Sequence, residues 1–227
     1  MKALIIEDSA DVVEAMSLCF QIRWPEIEMS SSTLGAHGIE KVKSLSFDII
    51  ILDLNLPDID GLDVLRQIRS FSEVPIMIVT VRGSEDDQAI GLEMGADDYI
   101  VKPFRPRDFV ARVSSVLRRS QVYEVNPNSQ SITRGKLTLR LVDNVVYIGD
   151  EIVKLTPNES KLLYLLMKNS EQTLDSKKIM LEVWEQDSTT TDVLRTYIRR
   201  LRDKLQDHPP QVILSQRGGG YRFATPE

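Results

Sequence analysis

The sequence predicts a doubly wound α/β domain built on a five-stranded parallel sheet, followed by a smaller α+β domain of winged helix-turn-helix type. Three observations lead there. Across the first 119 of 227 residues, short apolar runs alternate five times with stretches of helical spacing. A segment rich in Ser, Asn, Gln and Pro then interrupts the rhythm. Beyond it come strand-like pieces joined by turn signals, three helices and a Gly-rich closing hairpin. These bounds give a first domain over 1–120, a linker over 121–133 and a second domain over 134–227.

The strands of the first domain are KALII (2–6), EIEMSS (26–31), FDIIILD (47–53), VPIMIVT (74–80) and DYIV (98–101). Ile49, Ile50, Ile51 and Leu52 make an unbroken apolar run, as in a strand buried on both faces. Helical spacing fills the gaps, for example Val12, Val13, Met16 and Phe20, then Leu62, Leu65 and Ile68, then Phe109, Val113, Val116 and Leu117. Right-handed crossovers bring the C-terminal ends of such strands to one edge. In the second domain KLTLRLVD (136–143), NVVYIG (144–149) and EIVKLT (151–156) read as strands. Thr156-Pro157 with Glu159 opens a helix carrying Leu162, Leu163, Leu165 and Leu166. Helices over 176–184 and 190–205 follow, and VILSQRGGGYRF (212–223) closes the chain as a hairpin.

Composition narrows the function classes. With 42% hydrophobic and 27% charged residues the chain is globular. No apolar stretch is long enough for a membrane span, and MKALIIEDSA lacks a signal-peptide pattern. The single cysteine, Cys19, excludes an intramolecular disulfide and a Cys-rich zinc site and points to a reducing cytoplasm. The net charge of −6 conceals an asymmetry: residues 1–121 hold 13 basic and 20 acidic side chains, whereas 191–222 hold seven basic against three acidic. The local cluster, more than the overall charge, suggests nucleic acid.

The strand ends carry the chemistry. Strand one ends in Glu7-Asp8 and strand three in Asp53, so a doubly wound sheet gathers three carboxylates at its carboxyl edge. Two like charges about 4 Å apart repel by roughly 4 kcal/mol at an effective dielectric near 20. The cluster therefore calls for protons or a cation, and an all-oxygen set favours Mg²⁺. Strand four supplies the Thr80 hydroxyl, and strand five is followed by Lys102-Pro103. Carboxylates and metal facing a hydroxyl and an ammonium suit a phosphoryl group, with one carboxylate as nucleophile. In the second domain Arg195, Arg199 and Arg202 recur at i, i+4 and i+7 on TTTDVLRTYIRRLRDKL, with Arg200 beside them. Such a helix suits the major groove, and the turn holding Arg217 and Gly218 suits a minor groove.

Residues 1–119 resemble a response-regulator receiver domain through LIIEDSA, IIILDLNLPDIDGLDVL, PIMIVT and GADDYIVKPF. Residues 2–224 as a whole resemble the OmpR/PhoB family of two-component transcription factors. The resemblance implies a flavodoxin-like sheet and Asp53 as the phosphoacceptor of a sensor histidine kinase. It implies Mg²⁺ arranged by Glu7, Asp8, Asp53 and the carbonyl of Asn55. Thr80 and Lys102 become phosphoryl partners, the Lys102–Pro103 peptide cis, and Tyr99 an aromatic switch that turns inward on phosphorylation. A homodimer is implied, with matched surface positions Leu92, Asp97, Asp98, Asp108, Ala111 and Arg112. Two winged helices would then occupy direct repeats in double-stranded DNA, and WEQDST (184–189) resembles a segment that contacts RNA polymerase.

Some positions depart from the family pattern. Gln88 stands where a basic residue is usual, which weakens an ion pair with Asp108. Val81 follows Thr80 where a smaller residue is usual, which hinders water from reaching an acyl phosphate. The expected activity is regulation of transcription, with slow loss of the phosphoryl group as the only catalysis. Two rivals are a phosphorylation-independent DNA binder with a vestigial pocket and a Mg²⁺-dependent phosphatase. The phosphatase class wants a second Asp two residues after its nucleophile, where Asn55 stands.

Overall fold

A computed structural model describes residues 1–121 (side chains to 117), 131–184, 191–216 and 218–226. The chain divides into two units, Met1–Arg118 and Arg119–Glu227. In the first, β1 (Lys2–Ile6), β2 (Glu28–Ser32), β3 (Ile49–Leu52), β4 (Ile76–Thr80) and β5 (Asp98–Val101) pair in parallel in the order β2-β1-β3-β4-β5. The intervening helices are α1 (Ala10–Arg23), α2 (Gly35–Ser44), α3 (Gly61–Arg69), α4 (Glu85–Glu93) and α5 (Pro106–Gln121). The strand order reverses at β1 and β3, and ligands of open α/β sheets bind beside such a reversal.

Alternation along β1 sends neighbouring side chains to opposite faces. Ala3 and Ile5 join Met16, Cys19 and Phe20 of α1 and Phe109 and Val113 of α5 in one buried cluster. Phe20 meets Phe109 edge-on with ring centroids 5.4 Å apart, a favoured aromatic geometry. β3 is buried along its whole length, as its apolar run predicts. Gly61 sets how closely α3 approaches the end of β3: a Cβ there would lie 2.3 Å from the Asp53 carbonyl oxygen. Any side chain would push α3 off the loop that presents Asp53.

The second unit opens with an antiparallel meander, β6 (Ser131–Arg134), β7 (Leu137–Arg140), β8 (Val145–Ile148) and β9 (Glu151–Lys154). Then come α6 (Pro157–Lys168), β10 (Thr173–Asp175), α7 (Ser176–Trp184), α8 (Thr191–Lys204), β11 (Ile213–Gln216) and β12 (Gly220–Phe223), with a sheet ordered β10-β12-β11. β6 corrects the linker expected over 121–133, because 131–134 pairs with 137–140. Residues 122–130 of that linker lie outside the described residues. The capping box predicted for α6 forms: the Thr156 hydroxyl accepts from Glu159 N and the Glu159 carboxylate accepts from Thr156 N. Leu162, Leu166, Ile179, Trp184, Leu194, Tyr197, Ile198 and Phe223 pack together as the core of this unit. Among the described residues no helix is long and apolar enough to cross a membrane.

Candidate functional site

The sheet delivers the predicted side chains to one edge. Ile6 and Leu52 are register partners, and Asp53 N donates to the Ile6 carbonyl at 2.9 Å. Glu7, Asp8 and Asp53 therefore converge, with carboxylate oxygens within 4.8 Å of one another. Glu7 and Asp53 are buried, while Asp8 is exposed. Lys102 enters from the end of β5, its backbone N donating to the Thr80 carbonyl at 2.7 Å. Its Nζ donates to Glu7 Oε2 at 2.5 Å and to Asp53 Oδ2 at 2.7 Å. The Lys102–Pro103 peptide is cis, and Thr80 is fully buried.

The charges explain each other. Burial pushes the Glu7 carboxyl above its ordinary range, although Lys102 pulls the other way. Burial alone would lower the Lys102 ammonium, but hydrogen bonds and attraction from Asp53 and Glu7 outweigh it and raise the group. An ammonium clamped between two carboxylates offsets part of their repulsion. The oxygen-only donor set fits a hard divalent cation such as Mg²⁺, with Glu7, Asp8 and Asp53 as candidate ligands.

One residue at this edge escapes a reading of the sequence. Arg82 lies two positions past Thr80 and ties two loops together. Its Nε donates to Asn55 Oδ1 at 2.8 Å, and its Nη2 to Asp60 Oδ2 at 2.6 Å and to the Leu54 carbonyl at 3.4 Å. The acidic DIDG stretch (58–61) is thereby accounted for. Asp58 accepts from Gly35 N and Ala36 N at the start of α2, and Asp60 caps α3 through Leu62 N while holding Arg82. These are helix-capping roles, which the order of acidic residues alone does not separate from ion binding.

Tyr99, the expected switch, lies inward, and the expected dimer surface needs correction at Asp97 and Leu92. Tyr99 is buried, its hydroxyl donating to the Arg82 carbonyl at 2.8 Å. Burial, with Asp87 nearby, pushes its phenol up to about 12, so it is a proton donor at neutral pH. Asp97 is no surface residue: it is 2% exposed, accepts from Arg69 Nη2 and Ile76 N, and anchors β4 to α3. Leu92 is 8% exposed and packs inside the unit. Asp98 accepts from Arg112 at 2.9 Å within the same chain. Asp108 and Ala111 are exposed as expected, and Gln88 donates to the Gly83 carbonyl.

The basic face of α8 splits by role. Arg195 and Arg199 are exposed, and Arg195 pairs with exposed Asp192. Arg200 is not a DNA-facing residue. It is largely buried, pairs with fully buried Glu159 at 2.8 Å and lies over the Tyr197 ring. Arg202 is also committed, its guanidinium donating twice to the Ile213 carbonyl and once to Ser215, which braces α8 against β11. Helical spacing finds the stripe but not the tertiary partners. Arg217 and residues 185–190 of the WEQDST loop lie outside the described residues. Gly218 is exposed with φ +99, and Gly219 follows at +93, backbone angles that favour glycine. Beside them a cleft of about 420 Å³ is lined by residues that include Ser176, Lys177, Thr191, Arg195 and Gln216. Lys177 and Thr191 carry no motif and emerge only from the fold.

Known proteins share both units. Residues 3–114 match the response regulator receiver domain family, and residues 149–223 match the family described as transcriptional regulatory protein, C terminal. The chain is 36% identical to the uncharacterized transcriptional regulatory protein YclJ of Bacillus subtilis, over 98% of this chain and 99% of that one. It is 34% identical to the sensory transduction protein RegX3 of Mycobacterium tuberculosis, over 97% of each. Among solved structures, a mutant of RitR superposes with a TM-score of 0.78 at 26% identity, covering 98% of each chain. DrrB of Thermotoga maritima, described as an OmpR/PhoB homolog, gives 0.51 at 25% identity over 98% of each chain.

Proposed function

We propose, from the premise that the chain belongs to the OmpR/PhoB family of response regulators, that phosphorylation of Asp53 governs its binding to DNA. The protein is a two-component transcriptional regulator with a receiver domain and a DNA-binding domain, which implies a histidine kinase and DNA as its partners. The observation that carries the proposal is the pocket: three carboxylates within 4.8 Å, two of which, Glu7 and Asp53, are bridged by Lys102, with Thr80 ending the strand next to β3.

Asp53 is the acceptor in this reading. One carboxylate oxygen attacks the phosphorus of a phosphohistidine, the P–N bond breaks, and imidazole leaves as an acyl phosphate forms. Mg²⁺, when bound, supplies positive charge to the phosphoryl oxygens. Lys102 sits close enough to Asp53 to exchange its carboxylate contact for a phosphoryl oxygen. Thr80 supplies a hydroxyl from the neighbouring strand end. The added charge of about −1.5 to −2 then biases the β4–α4 region and the dimer surface, for which Asp98, Asp108, Ala111 and Arg112 remain candidates. Arg195, Arg199, Lys177 and the wing containing Arg217 and Gly218 are the candidate DNA contacts, and the loop 184–189 the candidate contact for RNA polymerase.

The phosphatase reading loses support from Arg82, which occupies the Asn55 side-chain oxygen at the position that class fills with an acid. A phosphorylation-independent regulator keeps one supporting observation, because Asp97 is used internally and Gln88 carries no charge, so fewer charged groups are left to link two receivers. Comparing DNA affinity of the unmodified protein, the phosphorylated protein and Asp53→Asn decides between them. Tighter binding on phosphorylation, absent in the variant, is the expected result.

A further inference from the structure

Tyr99 poses a physical question. Its ring lies inward, 6% exposed. A buried phenol needs an acceptor, and the one it has is the carbonyl of Arg82. That carbonyl belongs to a loop outside any strand or helix, between the end of β4 at Thr80 and the start of α4 at Glu85. Its position depends on what fixes residue 82.

Three attachments do so. The backbone N of Arg82 donates weakly to Thr80 Oγ1 at 3.4 Å. The guanidinium reaches across to the β3–α3 loop, donating to Asn55 and to the Leu54 carbonyl. Its strongest tie is the ion pair with Asp60, and that carboxylate is immobilised by capping α3. Arg82 thus joins the phosphoryl pocket on one side to the Tyr99 hydroxyl on the other.

We infer that Arg82 is a positioning residue whose ion pair with Asp60 holds Tyr99 inward. The inference deepens the proposed phosphorylation switch. The strength of the Arg82–Asp60 pair then sets the share of the inward state, and so how large a response phosphorylation can add. Side chains 29% and 41% exposed make this a partly screened pair, and its effect on a two-state equilibrium is about two- to fivefold. A larger effect would mean a locked switch; a pair of this exposure tunes it.

The test places 3-fluorotyrosine at position 99 and reads its buried and solvent-exposed populations by ¹⁹F NMR in the full-length, unphosphorylated protein. Asp60→Asn keeps an oxygen to cap α3 and removes the charge, and Arg82→Gln removes the other partner. Each is expected to raise the exposed-to-buried ratio about two- to fivefold, with no further increase in the double variant. Molar NaCl should shift the unsubstituted protein the same way and leave both variants unmoved. An unchanged ratio, additive effects, or no response to salt overturns the inference. Because this readout precedes phosphorylation, it fails independently of any failure to label Asp53.

Discussion

At the scale of single residues, the same side-chain type takes opposite roles according to what it touches. Arg195 and Arg200 lie five positions apart on α8, yet one faces solvent and the other neutralises the fully buried Glu159 together with Lys204. Burial alone would raise the Glu159 carboxyl, but Arg200, Lys204 and the Thr156 N–H outweigh it and hold it below the ordinary range. A carboxyl depressed in the folded state stabilises the protein above its unfolded value, near 4.3, and that contribution fades as pH falls through the folded value. Glu159→Gln should therefore cost about 3–5 kcal/mol in urea unfolding at neutral pH and flatten the acid limb of the stability curve. Val81 gives a second prediction. It is 59% exposed and follows Thr80, where a branched side chain is expected to hinder water's approach to an acyl phosphate. Val81→Ala should lose its phosphoryl group faster, as followed by the decay of labelled protein.

At the scale of elements, a helix and a turn decide what the residues can reach. In α8, Arg195→Ala should weaken DNA binding and reduce its salt dependence while leaving unfolding unchanged, because it removes only an exposed pair. Arg200→Ala should do the reverse first, lowering stability by stranding Glu159. At the other site, Gly61→Ala drives a methyl group into the Asp53 carbonyl and should cost roughly 1–3 kcal/mol while slowing phosphorylation. Thermal unfolding and the rate of acyl-phosphate formation measure both effects. Eight strands, eight helices and the wing were legible because their periodicity or turn chemistry is local. β6 was not, because Ser131–Arg134 is short, lacks an apolar run and becomes a strand only by pairing with Leu137–Arg140. β10 was not, since Thr173–Asp175 becomes a strand only by pairing with the distant segment 220–222. Arg82 was hidden for the same reason: its partners Asn55 and Asp60 lie far from it in sequence.

At the scale of the whole molecule, two units with separate cores carry two chemistries, one anionic and one locally cationic. The pocket was readable because each of its parts ends a different strand, and a doubly wound order leaves those ends little choice of place. The dimer surface was less so, because exposure depends on packing that spacing does not encode; Asp97 and Leu92 turned inward. The account stands on Asp53 as the group that takes the phosphoryl. Intact-protein and peptide mass spectrometry after treatment with acetyl phosphate and Mg²⁺ tests it most directly. It predicts one added phosphoryl group located at Asp53 and lost in Asp53→Asn. A protein that gains none, or carries it on another residue, contradicts it.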